Sequence, residues 1–263
     1  MPVRPASERA LKRCAFAGYG LTLELSAEAR LVRRVSSTVP PGFRRVARPA
    51  AATPAADLVL SVGREGDEHV LRRRGRTVAR GTPSALCDRL RGELERWVAL
   101  AARDHLFVHA GVVGWRGRAI VVPGRSLAGK STLVDALVRA GATYYSDEYA
   151  AIDERGWVHP FARAIGLRGE SGPRRVRPRR VGRRALPVGL VLLCRYREGA
   201  EFRPRPLSAS RAVLGLFKHT VAARVRAVDG LTRLACVTRG AQVLHGPRGE
   251  ARAAARALLA MVE

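Results

Sequence analysis

The chain has 263 residues, 47% of them hydrophobic, a formal net charge of +26 and four cysteines. That length and apolar content exclude wholesale disorder and leave room for one large or two modest domains. No apolar run reaches the ~18 residues a membrane span needs, the polar start shows no signal-peptide core, and Cys14, Cys87, Cys194 and Cys236 are too scattered for a zinc or thioredoxin motif. The expected setting is therefore the cytoplasm, with no membrane, no disulfide framework and no histidine- or cysteine-rich metal site.

The charge has two readings. A polyanion footprint would make nucleic acid or an acidic protein the partner. Compositional bias toward arginine is the plainer source: only Lys12, Lys130 and Lys218 among the 48 basic residues are lysines, and the arginines run from end to end. Aromatics make up only 5% and form no base-stacking array, so nucleic acid is not the expected partner.

In chain order, Leu21-Thr-Leu-Glu-Leu alternates as a strand, within a stretch from 1 to 37 that otherwise mixes short apolar pieces with turn residues. Residues 38–57, rich in proline and alanine, read as a loop. Asp57 to Val62 is strand-like, and His69 to Arg80 predicts a hairpin turning at Arg74-Gly75. Thr82-Pro83 offers a capping hydroxyl and a first-turn proline for a helix to about Arg103, with Leu86, Leu90, Leu94, Trp97 and Leu100 or Ala101 on one face. Phe107 to Val113 and Arg118 to Pro123 are apolar strands, followed by a glycine-rich loop, a helix over 130–139 ended by Gly141, and a short strand at Thr143 to Ser146. Residues 162–187 are rich in arginine and proline and predict an extended loop; Val188 to Cys194 is a buried strand; helices are expected near 208–218 and 249–262. The order strand, loop, helix, strand from 106 onward predicts an α/β core.

The segment Gly124-Arg125-Ser126-Leu127-Ala128-Gly129-Lys130-Ser131, followed by Thr132, matches G-x-x-x-x-G-K-[ST] in full, with a strand before it and a helix after. Such a loop turns backbone N–H groups and the positive end of the following helix toward phosphate oxygens. Lys130 would reach the β- and γ-phosphates of a nucleoside triphosphate, and the Ser131 hydroxyl would bind Mg²⁺. Lysine stands here although the composition favours arginine, and a compact ammonium suits this contact better than a guanidinium fork. The alternative is a glycine-rich turn that binds nothing.

The loop does not name a reaction; three further features narrow it. Asp147-Glu148 follows a strand, sixteen residues after Ser131. One carboxylate there can hold Mg²⁺ and the other can take a proton from an attacking hydroxyl; alone, the pair could be a solvated acidic turn. His109 lies fifteen residues before Gly124, where a lone histidine is more often structural. Arg168, in Ile165-Gly-Leu-Arg168, could neutralise charge on a transferring phosphoryl group, a weak signal among so many arginines.

Together, His109-Ala-Gly-Val-Val-Gly-Trp-Arg-Gly-Arg-Ala-Ile-Val-Val-Pro-Gly124, the loop with Ser126 in place, and Ser146-Asp147-Glu148 resemble the catalytic domain of the HPr kinase/phosphorylase family, more closely its smaller bacterial relatives. The resemblance is continuous from His109 to Glu148 and loose from there to Arg168. It implies an α/β, P-loop kinase core of the HPr kinase/phosphoenolpyruvate carboxykinase type over 106–263, after an N-terminal α+β region over 1–105. It implies ATP and Mg²⁺ as cofactors, Ser131 and Asp147 as metal ligands, Asp147, Glu148, His109 and Arg168 as catalytic residues, and a serine of a protein or peptide as acceptor. A homo-oligomer is left open. Two departures matter. The family has two aspartates where this chain has Asp147 and Glu148, and a metal-binding glutamate where this chain has Gly166. Asp147, the acid shared with the family, is favoured as the more critical of the pair, while Glu148 has the longer reach and could be the base. A nucleotide-binding regulator without phosphotransfer is the competing expectation.

Overall fold

The computed structural model describes residues 11–47, 56–125, 128–169 and 172–262. The chain divides into two compact units, Met1–Arg103 and Asp104–Glu263. Among the described residues no helix is long and apolar enough to cross a membrane.

In the first unit, strands β1 (Leu11–Gly18), β2 (Leu21–Glu28), β3 (Arg44–Val46), β4 (Leu58–Glu65), β5 (Glu68–Arg73) and β6 (Arg76–Gly81) form one sheet in the order β3-β1-β2-β4-β5-β6. The 38–57 stretch, expected to be loop throughout, contributes the edge strand β3; residues 48–55 of it lie outside the described residues. Two of the three tight hairpins turn on left-handed residue pairs, Tyr19-Gly20 and Arg74-Gly75; the third, between β4 and β5, turns on Gly66-Asp67 with only Gly66 left-handed. In the first two, positive φ at both positions gives the turn a twist that matches its strands. Alternation puts Leu21, Leu23, Leu25 and Ala27 on the buried face of β2.

A short helix, α1 (Val32–Ser36), and a long one, α2 (Pro83–Ala101), belong to the same unit. At the start of α2 the Thr82 hydroxyl accepts from the Ala85 N–H at 3.3 Å and proline fills the first turn. Its buried face is Leu86, Leu90, Leu94 and Val98. Trp97 packs half-buried against the core as expected, and of the two expected end positions Ala101 is half-buried and Leu100 exposed. Val98, not expected on this face, is fully buried, one i+4 step on from Leu94.

The second unit is built on strands β7 (Leu106–Trp115), β8 (Arg118–Pro123), β9 (Thr143–Ser146), β10 (Tyr149–Ile152), β11 (Trp157–His159), β14 (Leu186–Tyr196), β15 (Arg205–Pro206) and β16 (Gln242–Arg248). The main path is β11-β10-β7-β8-β14-β16-β15, with β9 on β7 and β11 also pairing β14. At its centre β8, β14 and β16 run parallel, so their carboxyl ends emerge on one edge. Helices α3 (Lys130–Arg139) and α6 (Ala251–Met261) pack on one face through Leu133, Leu137, Ala254 and Leu258. Helices α4 (Ala209–Phe217) and α5 (Ala227–Arg239) cover the other through Ala212, Leu216, Leu234 and Val237. The result is a layered α/β unit.

Residues 162–187, expected as extended loop, instead carry the hairpin β12 (Ile165–Gly169) and β13 (Gly172–Val176). Its apolar anchors are few, yet Ile165 and Leu167 are buried in the α3-side core. Two alternating residues suffice where the rest of a ribbon faces solvent. The cysteines are free; Cys14 and Cys87 are buried, Cys194 and Cys236 half-buried.

Gly111 on β7 sets the approach of α3. A Cβ there would lie 2.5 Å from the Val134 Cγ2 of that helix. We expect Gly111→Ala to push α3 outward and cost about 1–3 kcal/mol of stability, the range for overpacking. Urea unfolding of parent and variant checks this, and an unchanged midpoint would mean that helix and strand are not this tightly packed.

Candidate functional site

The parallel edge of the second unit is where the chemistry-bearing residues gather. Strand β8 ends at Pro123 and runs directly into Gly124. Its neighbour β7 is antiparallel, so the start of β7 meets the end of β8: Ala110 opposes Pro123, and the Gly124 N–H donates to the His109 carbonyl at 3.1 Å. The glycine-rich loop is thereby tied to the strand that carries His109. Gly129 enters α3 with φ +79°, the left-handed conformation glycine tolerates best, and its carbonyl accepts the first helical bond from Leu133 N–H at 3.1 Å. Ser126 and Leu127 lie outside the described residues.

Lys130 is buried, at 9% exposure, and its ammonium donates to the Arg125 carbonyl at 2.8 Å, reaching back across the loop. Burial lowers its proton affinity, while Glu148 and Asp147 act the other way. Both carboxylates therefore lie within electrostatic reach of the ammonium. Ser131 is half-buried and Thr132 exposed on the first turn of α3.

The acidic pair sits at a break in one long edge. Strands β9 and β10 both pair antiparallel with β7, with Ser146 opposite Val112 and Tyr149 opposite His109. Asp147 and Glu148 occupy the gap between them. The buried Ser146 hydroxyl holds that gap open by accepting from the Glu148 and Tyr149 N–H groups at 3.1 and 3.0 Å.

The two acids are held differently. Asp147 is fastened through both oxygens: Oδ1 accepts from the Tyr144 hydroxyl at 2.8 Å and Oδ2 from the Gly166 N–H of β12 at 3.2 Å. Glu148 is the freer, with its side chain 56% exposed and Oε1 3.7 Å from His109 Nδ1. Partial burial raises its proton affinity, with Lys130 opposing and Asp147 adding to the rise. The His109 ring packs on Tyr149, centroids 4.7 Å apart, and burial followed by the Lys130 charge lowers its proton affinity, favouring the neutral imidazole.

The backbone of Arg168 lies in β12 opposite Pro173; its side chain is outside the described part of the structure. The hairpin that carries it nonetheless touches the site, through the Gly166 N–H on Asp147.

Two residues at this edge have no counterpart in the sequence reading. The His219 carbonyl, just past α4, accepts from the His109 N–H at 2.8 Å. Burial lowers the proton affinity of its ring, and the Lys130, Arg125, His109 and Lys218 charges lower it further. Arg248, the last residue of β16, is 2% exposed and donates to the Gly129 carbonyl at 2.9 Å. A single histidine between Lys218 and Thr220, and one arginine among dozens, carry no local pattern that would mark them.

Among the described residues no three histidine, cysteine or carboxylate side chains cluster as a metal site. The arrangement is instead an ammonium and two carboxylates beside a glycine loop, with Ser131 on the first turn of the helix that follows. That donor set suits a cation shared between protein and phosphate oxygens, in which water fills several positions. No protein-family model matches this chain, and no curated protein matches it either.

Proposed function

We propose that the chain is an ATP-dependent kinase of the HPr-kinase-like type, with a P-loop kinase core related to that of phosphoenolpyruvate carboxykinase, and that it phosphorylates a hydroxyl, most simply a serine, of a protein or peptide. The observation that carries this reading is the convergence of Lys130, His109 and the Asp147-Glu148 pair at the carboxyl edge of parallel strands, directly beside a complete phosphate-loop sequence. That edge is where open α/β sheets bind ligands.

In this reading the loop N–H groups and Lys130 hold the triphosphate, and Ser131 and Asp147 hold Mg²⁺, which would screen phosphate charge. Asp147 suits this anchored role because two donors already orient it. Glu148 suits the base: it is accessible, has a raised proton affinity and lies beside His109. In this reading the base is Glu148 and not Asp147. The acceptor oxygen forms a bond to the γ-phosphorus, the bond from that phosphorus to the ADP oxygen breaks, and the hydroxyl proton passes to the Glu148 carboxylate. Neutral His109 can donate to a phosphate oxygen or orient Glu148.

The pH dependence follows in sign. Glu148 must be ionised to accept a proton, so kcat/KM should fall as pH drops through its raised pKa. Asp147 contributes to that rise, so Asp147→Asn should move the acid limb of the residual activity to lower pH. A limb unmoved by that substitution would argue against Glu148 as the base.

A nucleotide-binding regulator is the second reading, and one observation favours it: Asp147 already has a protein partner on each oxygen, an arrangement that could be structural. Incubation with γ-labelled ATP and the protein products of adjacent genes, followed by mass spectrometry, separates the two. A phosphorylated serine supports the kinase; ATP binding with no labelled product supports the regulator.

A further inference from the structure

Arg248 holds a buried positive charge for which no carboxylate lies within ion-pair distance among the described residues. It is 2% exposed. Its guanidinium donates to two backbone carbonyls, Gly129 at 2.9 Å and Gly249 at 2.8 Å, and lies 5.2 Å from the centre of the Tyr196 ring. Tyr196 is its register partner across β14 and β16 and donates in turn to Glu250 at 3.2 Å. The Cys194 thiol, also beside the guanidinium, has its pKa raised by burial and is neutral. Carbonyl dipoles, an aromatic face and a thiol soften the cost of burying a guanidinium, but none carries a formal charge. Buried charges are ordinarily paired with one.

The position of this charge is specific. Gly129 is the last residue before α3, and its carbonyl accepts both the helical bond from Leu133 and the guanidinium of Arg248. A peptide unit is planar and trans, so fixing the Gly129 carbonyl fixes the Lys130 N–H in the opposite direction, away from the helix body. That N–H is one of those a phosphate loop offers to its anion. A side chain at Gly129 would run into Arg248 Nη2 as well as requiring the left-handed φ.

Resting on the nucleotide-binding reading above, we infer that Arg248 is a positioning residue of the phosphate site: it locks the peptide between Gly129 and Lys130 and keeps behind the loop a fixed positive charge whose counter-charge is the bound triphosphate. Arg248 does not touch the ligand. It acts through the Gly129 carbonyl and through its field. A consequence separates this role from plain packing. In the ligand-free protein the buried charge is a burden, and with triphosphate bound it is compensated. Removing the charge should therefore weaken binding without weakening the empty protein.

The test uses the full chain and two probes, Mg-ATP and inorganic tripolyphosphate, with affinity measured by calorimetry and thermal stability measured with and without probe. Arg248→Met keeps the length of the side chain and removes the charge. We expect its affinity for both probes to fall about ten-fold, the order expected of a unit charge acting on the phosphates through protein of effective dielectric about 20 without touching them, with a ligand-free Tm equal to the parent's or higher. Arg248→Lys should recover part of the affinity, since it restores the charge but not the fork that spans two carbonyls. Parental affinity in Arg248→Met would overturn the inference, as would a lowered ligand-free Tm with unchanged affinity. Should Arg248→Met fail to fold, Arg248→Lys decides: weakened binding at parental Tm supports the inference, and parental binding overturns it. If the unaltered chain binds neither probe, the nucleotide reading itself fails; if it binds both and only the Arg248 variants are indifferent, the nucleotide reading stands and the inference alone falls.

Discussion

Replacing Lys130 by Ala should weaken triphosphate binding by about 2–3 kcal/mol, the range for hydrogen bonds to charged groups, or roughly 30- to 140-fold in Kd. The ammonium rests on the Arg125 carbonyl and not on a carboxylate, so a phosphate can claim it without breaking an ion pair. Its stem is another matter. Lys130 is buried, and its Cγ and Cδ line the space beside Gly124, where a Cβ would lie 3.4 Å from either. Lys130→Ala therefore removes packing together with charge. Lys130→Met keeps most of the stem and isolates the charge, so both variants should lose affinity while the Met variant holds the parental Tm. Burial already disfavours the charged form of this lysine, which is why its neutral replacement should not destabilise the ligand-free protein. Calorimetric titration with Mg-ATP checks the affinities; parental binding in both variants would displace the site from this loop.

What could be read in the sequence, and what could not, divides along the range of the forces involved. The α2 helix was legible because its signals are local: a capping threonine, a first-turn proline and a leucine every fourth residue. The Arg74-Gly75 turn was legible because a two-residue hairpin needs left-handed residues and glycine supplies one. Helix α5 was missed. Its apolar residues are interrupted by Asp229, Thr232 and Arg233, and what holds its start is an ion pair of Asp229 with Arg226 and Arg233 at 2.7 and 2.8 Å, visible only once the turn exists. Strands β10 and β11 are short, and their stability comes from partners on β7 and β14 far away in the chain, so periodicity had little to show.

The candidate site follows the same division. The loop, Asp147-Glu148 and His109 carry sequence pattern, and the structure brings Gly124, Gly129, Lys130, the acidic pair and His109 to one edge. Their unequal environments carry none. That Asp147 is clasped by Tyr144 and Gly166 while Glu148 stays open depends on the β9–β10 break and on the β12 hairpin folding back. Arg248 is the extreme case. It lies 119 residues from Gly129, the residue whose carbonyl it holds, and nothing in its neighbours along the chain distinguishes it from an exposed arginine.

The division of labour between Asp147 and Glu148 gives the largest expected effect. A base meets the acceptor hydroxyl only in the transition state, so its loss lowers turnover far more than affinity, by ~10²–10⁴-fold for general-base assistance. Glu148→Gln keeps the shape and the contact with His109 but cannot take a proton; it should bind Mg-ATP nearly as the parent does and fail at transfer. Asp147→Asn should behave differently. It keeps an oxygen for the Tyr144 hydroxyl, but its amide can face the Gly166 N–H donor, so the hairpin contact loosens along with any Mg²⁺ contact. Its deficit should appear in Mg²⁺ dependence and affinity as well as in turnover. Single-turnover transfer to a proven acceptor, run across a Mg²⁺ series, distinguishes these outcomes. Should the two variants exchange behaviours, Asp147 is the base and Glu148 the metal-side acid. Should both transfer phosphate at the parental rate, the kinase mechanism is refuted. Tight Mg-ATP binding in both, with no acceptor phosphorylated by the parent, would make the nucleotide sensor the correct reading, because a sensor needs the loop and its cation but no proton acceptor.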